Sequence, residues 1–233
     1  MPDPISLSII VPVWREAAGI ESALKALKPV RDAGHEVIVV DAGSDDGTAT
    51  LARPLCDRVV QSGKGRAVQM NAGAELARGR LLLFLHADTR LPEDALRQLE
   101  GFMASGCAWG RFDVRLSGRR TLYRVIAWFM NWRSRLTGIC TGDQALFVRR
   151  DAFEALGGFQ PLPLMEDVEL SRRLGLVSRP FCVRSPVITD SRRWETLGPW
   201  RTIFLMWRLR WRYWRGESPE SLAKAYRSDV RNA

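Results

Sequence analysis

Acidic residues follow two apolar segments of this chain closely. Asp41 ends the segment at 36–41, and Asp88 comes three residues after the segment at 81–85. Unbroken runs of Val, Ile and Leu are typical of parallel strands that are buried on both faces. Because ligands of open α/β sheets bind at the carboxyl ends of such strands, we expect both carboxylates to lie in one crevice. The pairing predicts a site for a nucleotide sugar and a metal ion.

The order of elements predicts an α/β fold with a mostly parallel central sheet flanked by helices. Apolar runs indicate strands at 6–13, 37–40, 59–60, 81–85, 110–116 and 145–148. Helical periodicity and turn residues indicate helices at 16–28, 48–55, 67–77, 92–104, 122–136, 150–156, 167–174 and 200–214. Their alternation in the first half specifies right-handed crossovers between parallel strands. We predict a catalytic domain at 1–198, with a nucleotide-binding half (1–108) and an acceptor half (109–198), and a helical C-terminal extension at 199–233.

The composition is that of a globular protein with anionic partners. The chain has 233 residues, of which 46% are hydrophobic and 26% charged, and its net charge is +9. This charge favours nucleotide phosphates or anionic lipids; nucleic acid is disfavoured because basic and acidic residues interleave before the tail. The four cysteines are widely scattered, which indicates neither a zinc site nor a disulfide framework. Without a leader or an apolar run of ~18 residues, we expect a cytoplasmic protein that does not span a membrane.

The first two strand ends carry recognisable motifs. Residues 8–16 read SIIVPVWRE, and residues 41–48 read DAGSDDGT. Both resemble glycosyltransferase family 2, whose members have the GT-A (Rossmann-like) fold and invert configuration at the sugar. The resemblance implies that Asp41 recognises the nucleobase, with uridine favoured, and that Glu16, Pro12 and Val13 line the nucleoside pocket. Arg15 departs from the usual Asn, and a simple turn with a helix cap is the alternative for residues 43–48.

The third strand end carries His86-Ala87-Asp88 in the place of the Asp-x-Asp motif of family 2. A divalent ion that bridges a diphosphate needs hard oxygen ligands, which a carboxylate supplies. The resemblance implies that Asp88 binds Mg2+ or Mn2+, that His86 is a candidate second ligand, and that Ala87 lines the donor pocket. The alternative is that Asp88 caps a turn and His86 is structural.

A segment with glycines and two cations precedes that strand, at residues 63–73 (GKGRAVQMNAG). Glycine, cations and a helix start can together hold a phosphate. Family 2 enzymes have a comparable segment, which implies that Lys64, Arg66 and Asn71 contact the donor. A solvated basic loop is the alternative. With the Leu-His-Ala-Asp-Thr run, the segment also resembles a small bacterial subgroup of the family linked to arsenosugar biosynthesis.

An acidic pair lies at the predicted start of a helix in the second half. Residues 165–170 (MEDVEL) resemble the Glu-Asp segment of family 2. An inverting transfer needs a base that deprotonates the acceptor hydroxyl as it attacks. The resemblance implies that Asp167 is this base, with Glu166 as its neighbour. The alternative is the ordinary enrichment of acidic residues at a helix N-terminus.

Two further segments resemble acceptor-side features of the family. Gly142, Asp143 and Gln144 match the loop that precedes the acidic pair, and Arg193 and Trp194 match a shortened Arg-Trp motif. Arg can offset the charge of a diphosphate, and Trp can stack on a sugar or acceptor ring. An ordinary surface cluster is the alternative for the Arg-Trp pair.

The predicted helix at 200–214 is amphipathic. A helical wheel places one set of apolar residues on one side and four arginines on the other. The first set is Trp200, Ile203, Phe204, Trp207, Trp211 and Trp214, and the second is Arg201, Arg208, Arg212 and Arg215. Trp with Arg suits an anionic headgroup surface, and family 2 enzymes often use lipid-linked acceptors, so peripheral membrane contact is predicted. The alternative is a helix that packs its Trp side on the catalytic domain or on a second subunit of a homo-oligomer.

Together the motifs predict a metal-dependent inverting glycosyltransferase. It would move a sugar from a nucleoside-diphosphate sugar to a hydroxyl of a small-molecule or lipid-linked acceptor. A nucleotidyltransferase is the enzymatic alternative, but it should carry a glycine-rich basic loop after the first strand, and residues 12–16 contain no glycine. A non-catalytic nucleotide-binding or membrane-associated protein of this fold is the other alternative, against which Asp41, Asp88 and Asp167 argue.

Overall fold

One sheet of eight strands runs through the described part of the chain. The computed structural model describes residues 6–231, apart from the side chains of Arg193, Val230 and Arg231. The strands are β1 (Leu7–Val13), β2 (Glu36–Asp41), β3 (Arg58–Gln61), β4 (Leu81–Phe84), β5 (Thr89–Arg90), β6 (Trp109–Leu116), β7 (Phe147–Arg149) and β8 (Phe181–Thr189). Their order in the sheet is β3-β2-β1-β4-β7-β6-β8-β5.

The first half of the sheet is parallel, as predicted. β1 pairs in parallel with both β2 and β4, and β2 pairs in parallel with β3. Strand residues such as Ile10, Val39 and Leu83 are fully buried, which explains the unbroken apolar runs. Because Val13 aligns with Asp41, the carboxyl ends of β1 and β2 reach the same edge of the sheet.

The second half is mixed and contains two strands that the sequence did not predict. β7 pairs antiparallel with β4 and β6, which joins the two predicted halves into one sheet. β8 pairs parallel with β6 and antiparallel with β5. β5 has only two residues, and Pro186 within β8 has no N–H to donate, so neither segment has a regular strand pattern. The register of β6 shifts at Phe112 and Asp113, next to that proline.

Helices cover both faces of the sheet. They are α1 (Ala17–Lys25), α2 (Lys28–Asp32), α3 (Thr48–Ala52), α4 (Arg66–Leu76), α5 (Ala95–Ala104), α6 (Thr121–Thr137), α7 (Arg150–Ala155), α8 (Glu166–Val177), α9 (Arg192–Leu197), α10 (Pro199–Trp214) and α11 (Pro219–Arg231). α1 and α5 pack on one face, and α4, α7 and α8 pack on the other. The single helix predicted at 16–28 is wrong: Pro29 lies in the first turn of a second helix, where its missing N–H costs nothing.

The last two helices pack on the start of α8. Leu205 and Leu209 of α10 and Leu222 of α11 form an apolar cluster with Met165, the residue before α8. The extension therefore covers the start of the helix that opens with the acidic pair. Among residues 6–231, none of the helices combines the length and the apolarity that crossing a bilayer requires.

Candidate active site

Asp41 closes the turn that follows β2. Its Oδ2 accepts hydrogen bonds from the N–H groups of Gly43 at 3.1 Å and Ser44 at 2.9 Å, and its Oδ1 accepts the Ser44 hydroxyl. Its side chain is almost completely buried, with 1% of the residue exposed. Asp41 thus fixes the loop at the edge of the crevice, and its contact with a nucleobase stays a prediction.

Gln69 holds the ends of β1 and β2 together, a role that the sequence motifs did not indicate. Its Nε2 donates to the carbonyl oxygens of Val13 and Val40, both at 2.8 Å. The Val13 carbonyl also accepts the N–H of Ala42 at 3.1 Å. A glutamine on the buried side of α4 was the only available signal, because buried amides need partners.

The loop after β1 is pinned to the loop after β2. The Arg15 N–H donates to the Ser44 hydroxyl at 2.8 Å, and the Glu16 N–H donates to Thr48 Oγ1 at 2.9 Å. Arg15 has a left-handed backbone with φ of 54°. Asn adopts this conformation more readily than Arg, which accounts for the Asn that is usual at this position.

Charges from three strand ends meet around Glu16, which is half-buried. Burial raises the pKa of the Glu16 carboxyl, Arg192 lowers it, and the carboxylates of Asp88 and Asp46 raise it. The charge of Arg66 also lowers the pKa of Glu16. The ends of β1 and β4 therefore share one crevice, as the sequence predicted, and α9 adds an arginine to it.

Asp88 lies exposed in the turn between β4 and β5, and its main chain contacts that of Asp190. Its Oδ1 accepts the Thr89 hydroxyl at 3.2 Å, and its carbonyl accepts the N–H of Asp190 at 3.0 Å. The sequence did not point to Asp190, because only the pairing of β5 with β8 brings it here. Mg2+ takes one or two carboxylates and completes its shell with substrate phosphates and water, so this donor set fits. Among the described residues, no group of three potential ligand side chains occurs.

The His86 imidazole packs on the acceptor-side loop. A Cβ added at Gly142 would lie 2.5 Å from His86 Cε1 and 2.6 Å from Nε2. The Gly142 N–H in turn donates to Asp167 Oδ2 at 2.7 Å. These contacts bring three predicted motifs together: the end of β4, the loop at 142–144 and the start of α8. Metal binding by His86 stays a prediction.

The acidic pair at the start of α8 has raised pKa values. Glu166 is 6% exposed. Burial and the charge of Asp167 raise the pKa of Glu166 to about 7, while Arg66 acts against this. Burial also raises the pKa of Asp167, and the N–H groups of Gly142 and Val168 oppose that change. Carboxyls that titrate nearer neutral pH are suited to general base catalysis.

The remaining acceptor-side predictions have mixed outcomes. Asp143 is half-buried and accepts the Thr141 hydroxyl at 2.6 Å. Gln144 is fully buried and its Oε1 accepts the Thr141 N–H at 3.3 Å, so it shapes the loop. Trp194 is half-buried and packs on the apolar cluster under α6. Arg193 lies in α9, and its side chain is outside the described part of the structure.

The basic segment before β4 contains one exposed cation, Lys64, and one amide that bonds within the protein, Asn71. Lys64 is exposed and lies over the Trp14 ring, with Nζ 5.1 Å from the centroid. Asn71 donates from Nδ2 to the Phe159 carbonyl at 2.8 Å and accepts the Phe159 N–H at 2.9 Å. Its amide therefore holds the loop before α8, and its contact with the donor stays a prediction. Ala87 packs on the core and is half-buried.

The Trp side of α10 is exposed, which contradicts the alternative that it packs on the catalytic domain. Five of its aromatic residues expose 58–79% of their surface: Trp200, Phe204, Trp207, Trp211 and Trp214. Ile203 is the exception, because it joins the apolar cluster of Tyr123 and Ile126 on α6. The arginine side is largely occupied, since Arg208 pairs with Asp229 and Arg212 with Glu217.

A second exposed apolar face lies on α6, the helix that neighbours α10. Its residues expose 45–65% of their surface: Val125, Trp128, Phe129, Trp132 and Leu136. The Trp128 and Trp132 rings stack with centroids 6.1 Å apart. We call the exposed residues of α6 and α10 together the aromatic surface. Exposed apolar patches of this kind mark interaction sites.

Comparison with known proteins agrees with this geometry. The family model described as Glycosyl transferase family 2 matches residues 8–157. The succinoglycan biosynthesis protein ExoA of Rhizobium meliloti is 30% identical over 189 residues, which cover 72% of this chain and 57% of ExoA. An undecaprenyl-phosphate 4-deoxy-4-formamido-L-arabinose transferase of Aeromonas hydrophila is 27% identical over 162 residues, which cover 61% of this chain and 48% of that protein. This chain therefore spans about half the length of the curated relatives it matches.

Solved structures show the same architecture. The mannosyltransferase PcManGT from Pyrobaculum calidifontis, in complex with GDP-Man and Mn2+, matches this chain with a TM-score of 0.61 and 25% identity. The match covers 82% of this chain and 58% of the PcManGT chain. Glucosyl-3-phosphoglycerate synthase from Mycobacterium tuberculosis, in complex with Mn2+ and UDP, has a TM-score of 0.58 and 22% identity, covering 78% and 70%. The fold is the GT-A fold. With the family model matching well over half of its length, this chain belongs to glycosyl transferase family 2.

Proposed function

We propose that this protein is a metal-dependent inverting glycosyltransferase that uses a nucleoside-diphosphate sugar, with UDP-sugars favoured. The observation that carries the proposal is the position of Arg66, whose charge acts on both Glu16 and Glu166. The charge of Arg66 thus reaches both a carboxyl at the strand ends and the acidic pair of α8. In a single displacement the leaving diphosphate would gain negative charge, which a guanidinium here would offset.

The acidic pair would supply the proton transfer. Asp167 accepts N–H groups from Gly142 and Val168, both at 2.7 Å, which fixes the orientation of its carboxylate. We assign Asp167 as the base that takes the proton of the acceptor hydroxyl while the oxygen attacks the anomeric carbon and the bond to the diphosphate breaks. Glu166 would act as a neighbour that tunes this carboxylate. A metal ion held by Asp88 and Asp190 would offset charge on the diphosphate.

Calorimetry tests the donor site directly. UDP, GDP, CDP and dTDP are titrated with and without Mn2+ into the wild type, Asp88→Asn and the control Asp32→Asn. Asp32 is an exposed carboxylate that pairs with Lys28 on α2, far from the crevice. We expect metal-dependent binding of one nucleotide that Asp88→Asn loses and Asp32→Asn keeps. Absence of binding in the wild type would overturn the proposal.

The base assignment is tested by turnover of the matching nucleotide sugar. Asp167→Asn should bind the nucleotide as the wild type does but lower transfer and slow hydrolysis by about 10²–10⁴-fold, the usual contribution of a general base. Release of a nucleoside diphosphate identifies glycosyl transfer, whereas release of pyrophosphate would identify the nucleotidyltransferase alternative. Equal rates in Asp167→Asn and the wild type would remove Asp167 from the mechanism.

The aromatic surface supports a membrane partner for this enzyme. Trp and Phe side chains on two neighbouring helices suit the headgroup boundary of a bilayer, and the net charge of +9 favours anionic lipids. In flotation with phosphatidylglycerol vesicles, the wild type should float with the vesicles and the double variant Trp207→Ser/Trp211→Ser should not. The control is Trp14→Ser, which changes an exposed Trp beside the donor loops and should float as the wild type does. Sedimentation equilibrium covers the other outcome: a dimer that the double variant disrupts, without vesicle binding, would identify a second subunit as the partner.

A further inference from the structure

Arg133 of α6 has two buried guanidinium nitrogens without a partner. Its Nε and Nη2 atoms are inaccessible to solvent and form no hydrogen bond within the described residues. Burial and the positive charge of Arg210 lower the pKa of Arg133 to about 10, while Asp143 and Asp167 act in the opposite direction. Buried guanidinium nitrogens without acceptors are unfavourable, and such groups are typical of sites that receive a ligand.

A second arginine, Arg210 of α10, lies close enough for its charge to act on this place. Its charge acts on the carboxyl of Asp167 as well as on Arg133. Two neighbouring arginines on α10 are already paired: Arg208 forms an ion pair with Asp229, and Arg212 forms one with Glu217. Within the described part of the chain, Arg210 forms no ion pair or hydrogen bond through its guanidinium.

The two nearby carboxylates do not neutralise these arginines by contact. Asp143 accepts the Thr141 hydroxyl at 2.6 Å, and Asp167 accepts two main-chain N–H groups at 2.7 Å. Guanidinium groups bind phosphate through paired N–H donors, and phosphate has more acceptor oxygens than a carboxylate. An anion that bridges the arginines would satisfy donors that the protein leaves unused.

We propose that Arg133 and Arg210 form a binding site for a phosphate group of the acceptor, beside Asp167. This inference rests on the proposed glycosyl transfer, and it identifies the acceptor class as a phosphorylated molecule. Binding there would hold the acceptor next to the base. A phosphorylated lipid and a water-soluble phosphate ester share this chemistry. The aromatic surface lies on the same two helices, so a lipid would place its tail there.

The first experiment measures thermal stability against inorganic phosphate. Wild type, Arg133→Met, Arg210→Met and the control Arg208→Met are melted at increasing phosphate and constant ionic strength. Phosphate should raise the Tm of the wild type and of Arg208→Met, and its apparent affinity should fall about tenfold or more in Arg133→Met and Arg210→Met. Arg133→Met should itself melt no lower than the wild type, because it removes an unpartnered charge and keeps a long apolar stem.

The second experiment distinguishes the source of the phosphate. Flotation compares phosphatidylcholine vesicles with and without phosphatidylinositol, a lipid with both a phosphate and free hydroxyls, and glycerol phosphate is titrated in parallel. Preference for phosphatidylinositol that Arg133→Met loses identifies a lipid acceptor, whereas glycerol phosphate binding with no vesicle preference identifies a soluble one. Either result supports the site.

Nucleotide calorimetry separates this inference from the proposed function. If Arg133→Met and Arg210→Met bind the nucleotide with Mn2+ as the wild type does, and phosphate stabilises them as much as it stabilises the wild type, the arginine site is wrong and the donor site stands. If the wild type binds phosphate through these arginines but no nucleotide, the proposed function is wrong instead. Loss of the phosphate effect in Arg66→Met alone would place the anion at the donor side and overturn the inference.

Discussion

The buried carboxyl of Glu166 predicts a stability that falls as the pH rises. Its pKa is about 7 in the folded protein, against an ordinary value of 4.5. Below pH 4.5 both states are protonated, and between the two values the folded state keeps a proton that the unfolded chain releases. Above pH 7 the Glu166 carboxyl is ionised in the folded protein as well. Folding then includes the full free-energy cost of burying that charge, which corresponds to about 3 kcal/mol.

Glu166→Gln removes this cost, because the amide has a similar shape and does not ionise. At pH 5 most of the cost has not yet developed, so the variant should gain about 1 kcal/mol over the wild type, and at pH 8 about 3 kcal/mol. A gain that grows by about 2 kcal/mol should appear as a Tm difference larger by roughly 4–8 °C for a chain of this size. Urea unfolding followed by Trp fluorescence at both pH values measures the free energy of unfolding directly, since the chain has nine tryptophans.

The control for this prediction is Glu75→Gln, an exposed carboxylate on α4. It should change the free energy of unfolding equally at pH 5 and pH 8. If Glu166→Gln behaves like Glu75→Gln, the carboxyl of Glu166 is not destabilised by burial, and the reasoning about the acidic pair fails. If the variant is less stable than the wild type at pH 8, the Glu166 carboxylate has a charged partner that outweighs its burial.

Three further substitutions test the packing around the site. Gly73→Ala should lower the free energy of unfolding by about 1–3 kcal/mol in urea titrations, because the new Cβ would lie 2.5 Å from a side chain of β1 and 2.9 Å from one of β2. Arg15→Asn should raise the Tm, because Asn tolerates the left-handed backbone at this position (φ of 54°) and the ion pair that is lost with Asp45 is exposed. A lower Tm would refute the strain argument. Gly142→Ala should lower turnover at least about tenfold while nucleotide binding is kept, because its Cβ would displace the His86 ring and with it the geometry around the acidic pair.

The sequence predicted the parts of the site that follow from local pattern. The apolar runs of β1, β2 and β4 predict strands buried on both faces, so the parallel arrangement of these strands could be inferred from the amino-acid sequence alone. Asp190 could not, because a strand of two residues and a proline-containing strand bring it to Asp88 through long-range pairing. Arg133 and Arg210 were equally hidden, since their shared neighbourhood depends on how α6 and α10 pack.

Several residues in the family-like motifs serve to build the site. In the segment at 63–73, Gln69 ties the ends of β1 and β2 together, Asn71 holds the Phe159 loop, and Gly73 lets α4 approach the sheet closely. In that segment Arg66 remains the side chain whose charge reaches into the crevice on both sides.

A motif match therefore fixes the positions of strand ends and helices more firmly than it identifies the atoms that touch a substrate. The exposed members, Arg66 and Asp88, can meet a ligand without unfolding anything. The side-chain amides of Gln69 and Asn71 already donate to main-chain carbonyls, and a ligand would have to compete with those hydrogen bonds. Substitutions in the first set should change activity with little loss of stability, and those in the second should change both.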